Sequence, residues 1–162
     1  MITRSSTLLL SCLAVLTPVV FGAGSEPVNE PPRGVEKKAT QNAATSYNEG
    51  VALMKAKKYD AAEHKFEAAL KVNPRFAEAH NNLAFCLRKQ SPANYNAALE
   101  HYNEAIKLNP NLAQAYEYRG VLFMQMNRKA DAEKDLAKLK QLNPKLASEL
   151  AAAIKTGKEA EY

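Results

Sequence analysis

The chain has 162 residues, 46% of them hydrophobic and 24% charged, with a formal net charge of +5 at pH 7. This is room for one domain or one short repeat array; it excludes a large multidomain enzyme, and the apolar share excludes disorder throughout. Only 6 glycines stand against a large alanine content, which argues against a Gly-rich nucleotide loop or a turn-dense β-sandwich and for an all-α fold.

Residues 1–24 carry one positive charge, Arg4, then an apolar run from Leu8 to Phe21, then Gly22, Ala23 and Gly24 before the polar Ser25. That is the layout of a secretory signal peptide. The run contains Pro18 and is shorter than the ~20 residues that cross a bilayer. Cleavage and export are therefore expected, with no membrane attachment afterwards; an anchor formed by residues 1–24 is the alternative. Leu9-Leu10-Ser11-Cys12 looks like a lipoprotein cleavage box, but the apolar run continues past it, so lipidation is not expected. Residues 25–42 hold Pro27, Pro31, Pro32 and Gly34 among scattered charges and are expected to form a disordered linker. The basic surplus of the remaining chain is small and spread out, unlike the concentrated basic face of a nucleic-acid binder. No nucleic-acid partner is expected.

Beyond residue 42 the chain repeats itself. Asn-Pro recurs at Asn73-Pro74, Asn109-Pro110 and Asn143-Pro144, each time after a helical phrase: Phe66 to Val72, Tyr102 to Leu108, Leu136 to Leu142. Gly50, Ala84 and Gly120 hold equivalent positions, where a minimal side chain lets helices approach. Ala62, Ala98 and Ala132 repeat that logic, followed four residues later by Phe66, Tyr102 and Leu136. Apolar residues recur at helical spacing, interrupted near Lys57-Lys58, Ser91 to Asn94, and Asn127-Arg128, so each unit reads as two antiparallel helices. Proline disfavours the α conformation in the residue before it and ends each second helix at Asn. One helix pair cannot bury its apolar face, so the units must stack and leave one continuous groove.

This pattern resembles the tetratricopeptide repeat family, over residues 43–144. The carriers are Gly50, Ala84 and Gly120; Ala62, Ala98 and Ala132; Phe66 and Tyr102; and Pro74, Pro110 and Pro144. Three departures stand out: Ser46 where the family often has Trp, Leu136 in place of the third aromatic, and two additional residues around Ser91-Pro92-Ala93-Asn94. Lengthening a surface turn by two residues costs well under ~1 kcal/mol, so the insertion changes local shape alone. The resemblance implies an α-solenoid of three units, 43–76, 77–112 and 113–144. A capping helix over 145–156 should present Leu146, Leu150, Ala153 and Ile154 on one face, with Gly157 as its stop signal and 157–162 as a tail.

No catalytic constellation is visible. His64, His80 and His101 lie in three different helices with no i, i+4 pair for a metal, and read as surface or packing residues. Glu100 and Glu104 beside His101 are what a solvated helix face contains. Cys86 is left alone once residues 1–24 are removed and reads as a small buried apolar residue. Neither an enzyme nor a cofactor or metal site is expected. In the resembling family the first helix of each unit lines the concave side. The resemblance therefore places Asn48, Val51, Met54, Lys55, Asn82, Phe85, Lys89, Gln114, Tyr118, Val121 and Gln125 on the groove. Amides can hold both ends of a peptide unit, and Met54, Phe85 and Tyr118 offer apolar contact.

Family members that grip a chaperone's C-terminal carboxylate use a Lys, Asn and Arg clamp, of which only Asn82 is present. Tyr47, Val51, Gln114 and Tyr118 occupy the other places and supply no cation. The resulting expectation is a non-catalytic adaptor binding a peptide or partner protein. The compartment expected is the bacterial periplasm, since signal peptides on small free-standing arrays of this kind look bacterial. The alternative is a structural protein whose outer faces or repeat ends self-associate into a homo-oligomer.

Overall fold

The computed structural model describes residues 33–157, with side chains from residue 40. The expected signal peptide, the first part of the expected linker and most of the tail lie outside the described residues. The chain is a run of helices: α1 (Arg33–Lys55), α2 (Tyr59–Val72), α3 (Ala77–Gln90), α4 (Tyr95–Leu108), α5 (Ala113–Gln125), α6 (Lys129–Leu142) and α7 (Pro144–Thr156). Each helix packs on the next, and α7 touches both α5 and α6. Contacts between immediate neighbours are the signature of a quasi-one-dimensional helical solenoid. None of the described helices is long and apolar enough to cross a membrane.

The linker expectation needs correction, because α1 begins at Arg33 and runs for 23 residues, against 13 or 14 in each of the other α-helices. Glu36, Lys37, Lys38, Ala39 and Gln41 are good helix formers, and scattered charge is as typical of a solvated helix as of a linker. The disfavoured residues, Pro31 and Pro32, precede the helix in sequence, and a proline is tolerated at a helix start because the first N–H groups have no intrahelical acceptor.

Two kinds of turn build the stack. Within the first unit Lys57 takes the left-handed conformation (φ 58°). Its N–H donates to Met54 O at 2.9 Å, and Lys58 N–H donates to Leu53 O at 3.0 Å. The third unit repeats the arrangement with Asn127 (φ 56°), whose N–H donates to Met124 O at 3.1 Å while Arg128 N–H donates to Phe123 O at 2.7 Å. Both are Schellman closures, which satisfy carbonyls at the helix end. The second unit instead spends its two extra residues on a 3₁₀ turn, Pro92–Asn94, started by the Ser91 hydroxyl accepting from Ala93 N–H at 3.2 Å.

Between units the repeated asparagine acts twice. The N–H groups of Asn73, Asn109 and Asn143 donate to Ala69, Ala105 and Leu139 O at 2.8, 2.9 and 2.8 Å, closing α2, α4 and α6. Each Oδ1 accepts at 3.1 Å from the N–H two residues on, at Arg75, Asn111 and Lys145. Asparagine suits this because its side chain reaches its own backbone two residues ahead. At Asn143 the side chain also accepts from Leu146 N–H at 3.2 Å, and α7 starts directly at Pro144.

The core is made where small residues meet large ones. Ala62, Ala98, Ala132 and Ala84 are fully buried, as are Phe66 and Tyr102. A Cβ on Gly50 would lie 2.7 Å from Phe66 Cε1, so the missing side chain is what admits the ring. The third unit solves the same problem differently: the notch at Gly120 is filled by Leu150 of α7, whose Cδ2 would be 2.6 Å from an added Cβ, while Leu136 is only partly buried. Ala147, Leu150 and Ala153 are the buried face of α7, with Leu146 and Ile154 packed partly against the same cluster. Removing a leucine of this size from water contributes about 1.5–3 kcal/mol. Gly157, at φ 69°, ends the helix as expected.

Candidate functional site

Phe85 is the centre of the site. Its ring meets Tyr118 of α5 at 4.9 Å between centroids and Tyr59, the first residue of α2, at 6.1 Å. The Arg88 guanidinium and the Lys89 ammonium lie over it at 5.1 and 5.6 Å. Above this ring is a hollow of ≈ 210 Å³ lined by Met54, Lys55, Lys57, Tyr59, Phe85 and Tyr118. Four residues assigned to the groove from sequence, Met54, Lys55, Phe85 and Tyr118, thus come together from α1, α3 and α5. Lys57 and Tyr59 were missed because they sit at the turn closing the first unit and at the start of α2. The register of the first helices does not extend to them; the signal was the cationic Lys57-Lys58 turn ahead of an aromatic.

The hollow has an apolar floor and a basic rim. Tyr118 and Phe85 are buried, while Lys55 and Lys57 are exposed. Tyr118 is held from its own helix, with Gln114 Nε2 donating to its hydroxyl at 2.8 Å. The Arg88 guanidinium, itself buried, donates to Gln125 Oε1 at 3.4 Å, which ties the ends of α3 and α5 together beside the ring. A floor of aromatic and thioether groups with ammonium groups at the edge can bury an apolar side chain and meet an adjacent carboxylate.

Other assigned residues have other positions. Asn82 is buried; its Nδ2 donates to the Tyr47 hydroxyl at 3.1 Å and its Oδ1 accepts from Asn81 Nδ2 at 3.1 Å. It joins the first two units from inside rather than presenting an amide to a peptide, since Tyr47 lies between Phe66 and Phe76 with ring centroids 5.8 and 4.7 Å away. Val121 is buried in the cluster of Tyr116, Leu139, Ala147 and Leu150, so it is a core residue and not a groove residue. The seventh helix, which its own unit does not include, completes the cover over that position. Val51 is partly buried against the core, Lys89 is half-buried over Phe85, and Asn48, Gln114 and Gln125 are exposed.

Cys86 is fully buried in the same core, as expected of a cysteine left without a bridging partner, and burial, with Glu63 adding to it, pushes its thiol up to about 12. A thiol so far from ionisation is a poor nucleophile. His80 and His101 are not isolated packing residues: they meet across the second unit with Nδ1 atoms 2.9 Å apart. No group of three or more His, Cys, Asp or Glu side chains among the described residues is arranged to hold a metal ion.

Two family models match the chain, one described as "Tetratricopeptide repeat" over residues 47–91 and one described as "TPR repeat" over 94–127. The second window pairs α4 with α5, the back of one unit with the front of the next, as a continuous stack permits. Residues 47–91 and 94–127 are thus tetratricopeptide repeats. No curated protein matches it. Among solved structures it is similar to the first TPR domain of Spaghetti (RPAP3) bound to HSP90 peptide SRMEEVD, with 22% identity, 73% of this chain and 94% of that one covered, and a TM-score of 0.66. The Arabidopsis OM64 TPR domain is similar at 19% identity, 74% and 99% coverage and a TM-score of 0.67. The second TPR domain of Spaghetti, bound to the same peptide, is similar at 20% identity, 68% and 99% coverage and a TM-score of 0.63.

Proposed function

We propose that this protein is a non-catalytic adaptor that takes an extended segment of a partner protein on its concave side, anchored in the hollow over Phe85. The observation that carries the reading is the convergence of Met54, Phe85 and Tyr118 from three helices, one from each unit, on one hollow rimmed by Lys55 and Lys57. An apolar anchor residue with an acidic neighbour is the segment that this surface suits, because the anchor's buried area supplies affinity and the carboxylate supplies orientation. Tetratricopeptide domains of similar fold have been solved with a peptide bound, which supports the class of partner. It does not extend to the carboxylate clamp, whose places here hold Tyr47, Val51, Gln114 and Tyr118.

Export through residues 1–24 belongs to the proposal, with the envelope of a bacterium as the compartment; the N-terminal mass of the mature protein tests it. The binding test uses an array of extended peptides, screened by fluorescence polarisation against the protein and two variants, Lys57→Glu and Met54→Ala. Binders enriched in an apolar–acidic pair, weakened about tenfold or more by Lys57→Glu, support the reading. Peptides that bind all three proteins equally place recognition elsewhere. Asn82→Ala is a poor probe, because it removes a joint between units.

A further inference from the structure

His80 of α3 and His101 of α4 face each other with their rings stacked, centroids 5.2 Å apart and Nδ1 atoms at 2.9 Å. The other nitrogen of His80 lies 3.0 Å from the Pro74 carbonyl, in the turn that joins the first two units. A carbonyl only accepts, so His80 Nε2 carries a hydrogen and its Nδ1 is left as the acceptor when the ring is neutral. His101 must then donate through Nδ1, which leaves its Nε2 bare. One proton between the two Nδ1 atoms is therefore required, and a further proton fits on His101 Nε2 without disturbing any contact. The next one does not fit: with both rings charged, two N–H groups would point at each other across 2.9 Å.

We propose that the His80–His101 pair is a proton-operated latch on the junction of the first two units, closed when it carries no charge or one and opened by the second. The groups that face it set how readily each proton enters. Glu63 and Glu67 on α2 and Glu100 on α4 favour protonation of His101, whereas burial, and a charge on His80 whenever it carries one, oppose it and prevail, holding His101 below the ordinary value of 6.5. Lys71 of α2, which lines the hollow of ≈ 400 Å³ shared by Glu67, His80 and His101, opposes a second charge. Because His101 is depressed in the folded state, its contribution to stability is present above the ordinary value. It is lost as pH falls through that value toward the folded one. Opening frees the Pro74 turn, the hinge between α2 and α3.

Nitrogen NMR on the labelled full chain tests this directly. At pH 8, His80 is expected as the Nε2–H tautomer and His101 as the Nδ1–H tautomer; two Nε2–H rings would overturn the assignment. On acidification the pair should titrate in two steps more than ~1 pH unit apart. Hydrogen-exchange protection around Asn73 to His80 should fall at the second step. Independent single steps, or undiminished protection after the second, would sink the latch. In His101→Gln, the loss of thermal stability between pH 7 and 5 should shrink. Should that variant fail to fold, the wild-type tautomers and exchange data still decide.

Discussion

Arg119 links three helices through one guanidinium. Its Nε and Nη2 donate to the two oxygens of Asp135 at 2.9 and 2.6 Å, and its Nη1 donates to Asn103 Oδ1 at 2.6 Å, tying α4, α5 and α6. Asp135 is buried, and burial raises its carboxyl above the usual value despite the guanidinium beside it. A raised folded value means that the carboxyl favours the fold below its unfolded value, and that this contribution is lost as pH rises through the folded one. The ionised pair therefore fixes geometry more than it adds net stability at neutral pH. Asp135→Ala leaves a partly buried cation unpaired and is expected to cost about 3 kcal/mol in chemical denaturation. Asp135→Asn, which keeps an acceptor without the charge to desolvate, should cost clearly less; equal losses would contradict this account.

At the scale of elements, the two left-handed turns and the two glycine notches are where the chain is most particular. Lys57 holds a conformation that costs an L-residue roughly 1–2 kcal/mol, while Asn127 holds the same one more easily. Lys57→Gly is expected to stabilise the protein by about 0.5–1 kcal/mol after the greater unfolded-state entropy of glycine is allowed for, and Asn127→Gly by less. A thermal melt that ranks them the other way would show that the turns are not equivalent. Gly120→Leu would drive a side chain into Leu150 and is expected to cost about 1–3 kcal/mol by overpacking. The strain falls between α5 and α7, not within the third pair of helices as repeat symmetry suggests. Leu150→Ala should therefore recover part of the loss in a double-mutant cycle, where Leu136→Ala should not.

For the whole molecule, stability is a chain of neighbour contacts that needs an end. Without α7, the faces of α5 and α6 around Tyr116, Val121 and Leu139 would be open to water, and an apolar patch of that kind promotes association. A chain ending at Asn143 is expected to aggregate or to melt well below the intact protein. A monodisperse truncation with unchanged helix content would remove the capping role. The same one-dimensional logic explains why the hollow over Phe85 sits where it does: a surface shared by three units exists only if all of them stack, so unfolding one end dismantles it.

The repeat length, the alternation of helices, the closing asparagines and the stop at Gly157 were all legible in the sequence, because each depends on residues close along the chain: backbone preferences, short-range hydrogen bonds and periodic burial. Met54, Phe85 and Tyr118 were assigned to one face by the family resemblance. Distance along the chain hid the rest. That Asn82 turns inward to Tyr47, that Val121 is covered by α7, that Leu150 and not Leu136 fills the notch at Gly120, and that two histidines in different helices meet at 2.9 Å are outcomes of packing between units. Local periodicity states which residues leave a helix on the same side. Only the stacked helices decide whether that side meets water, another unit or a partner.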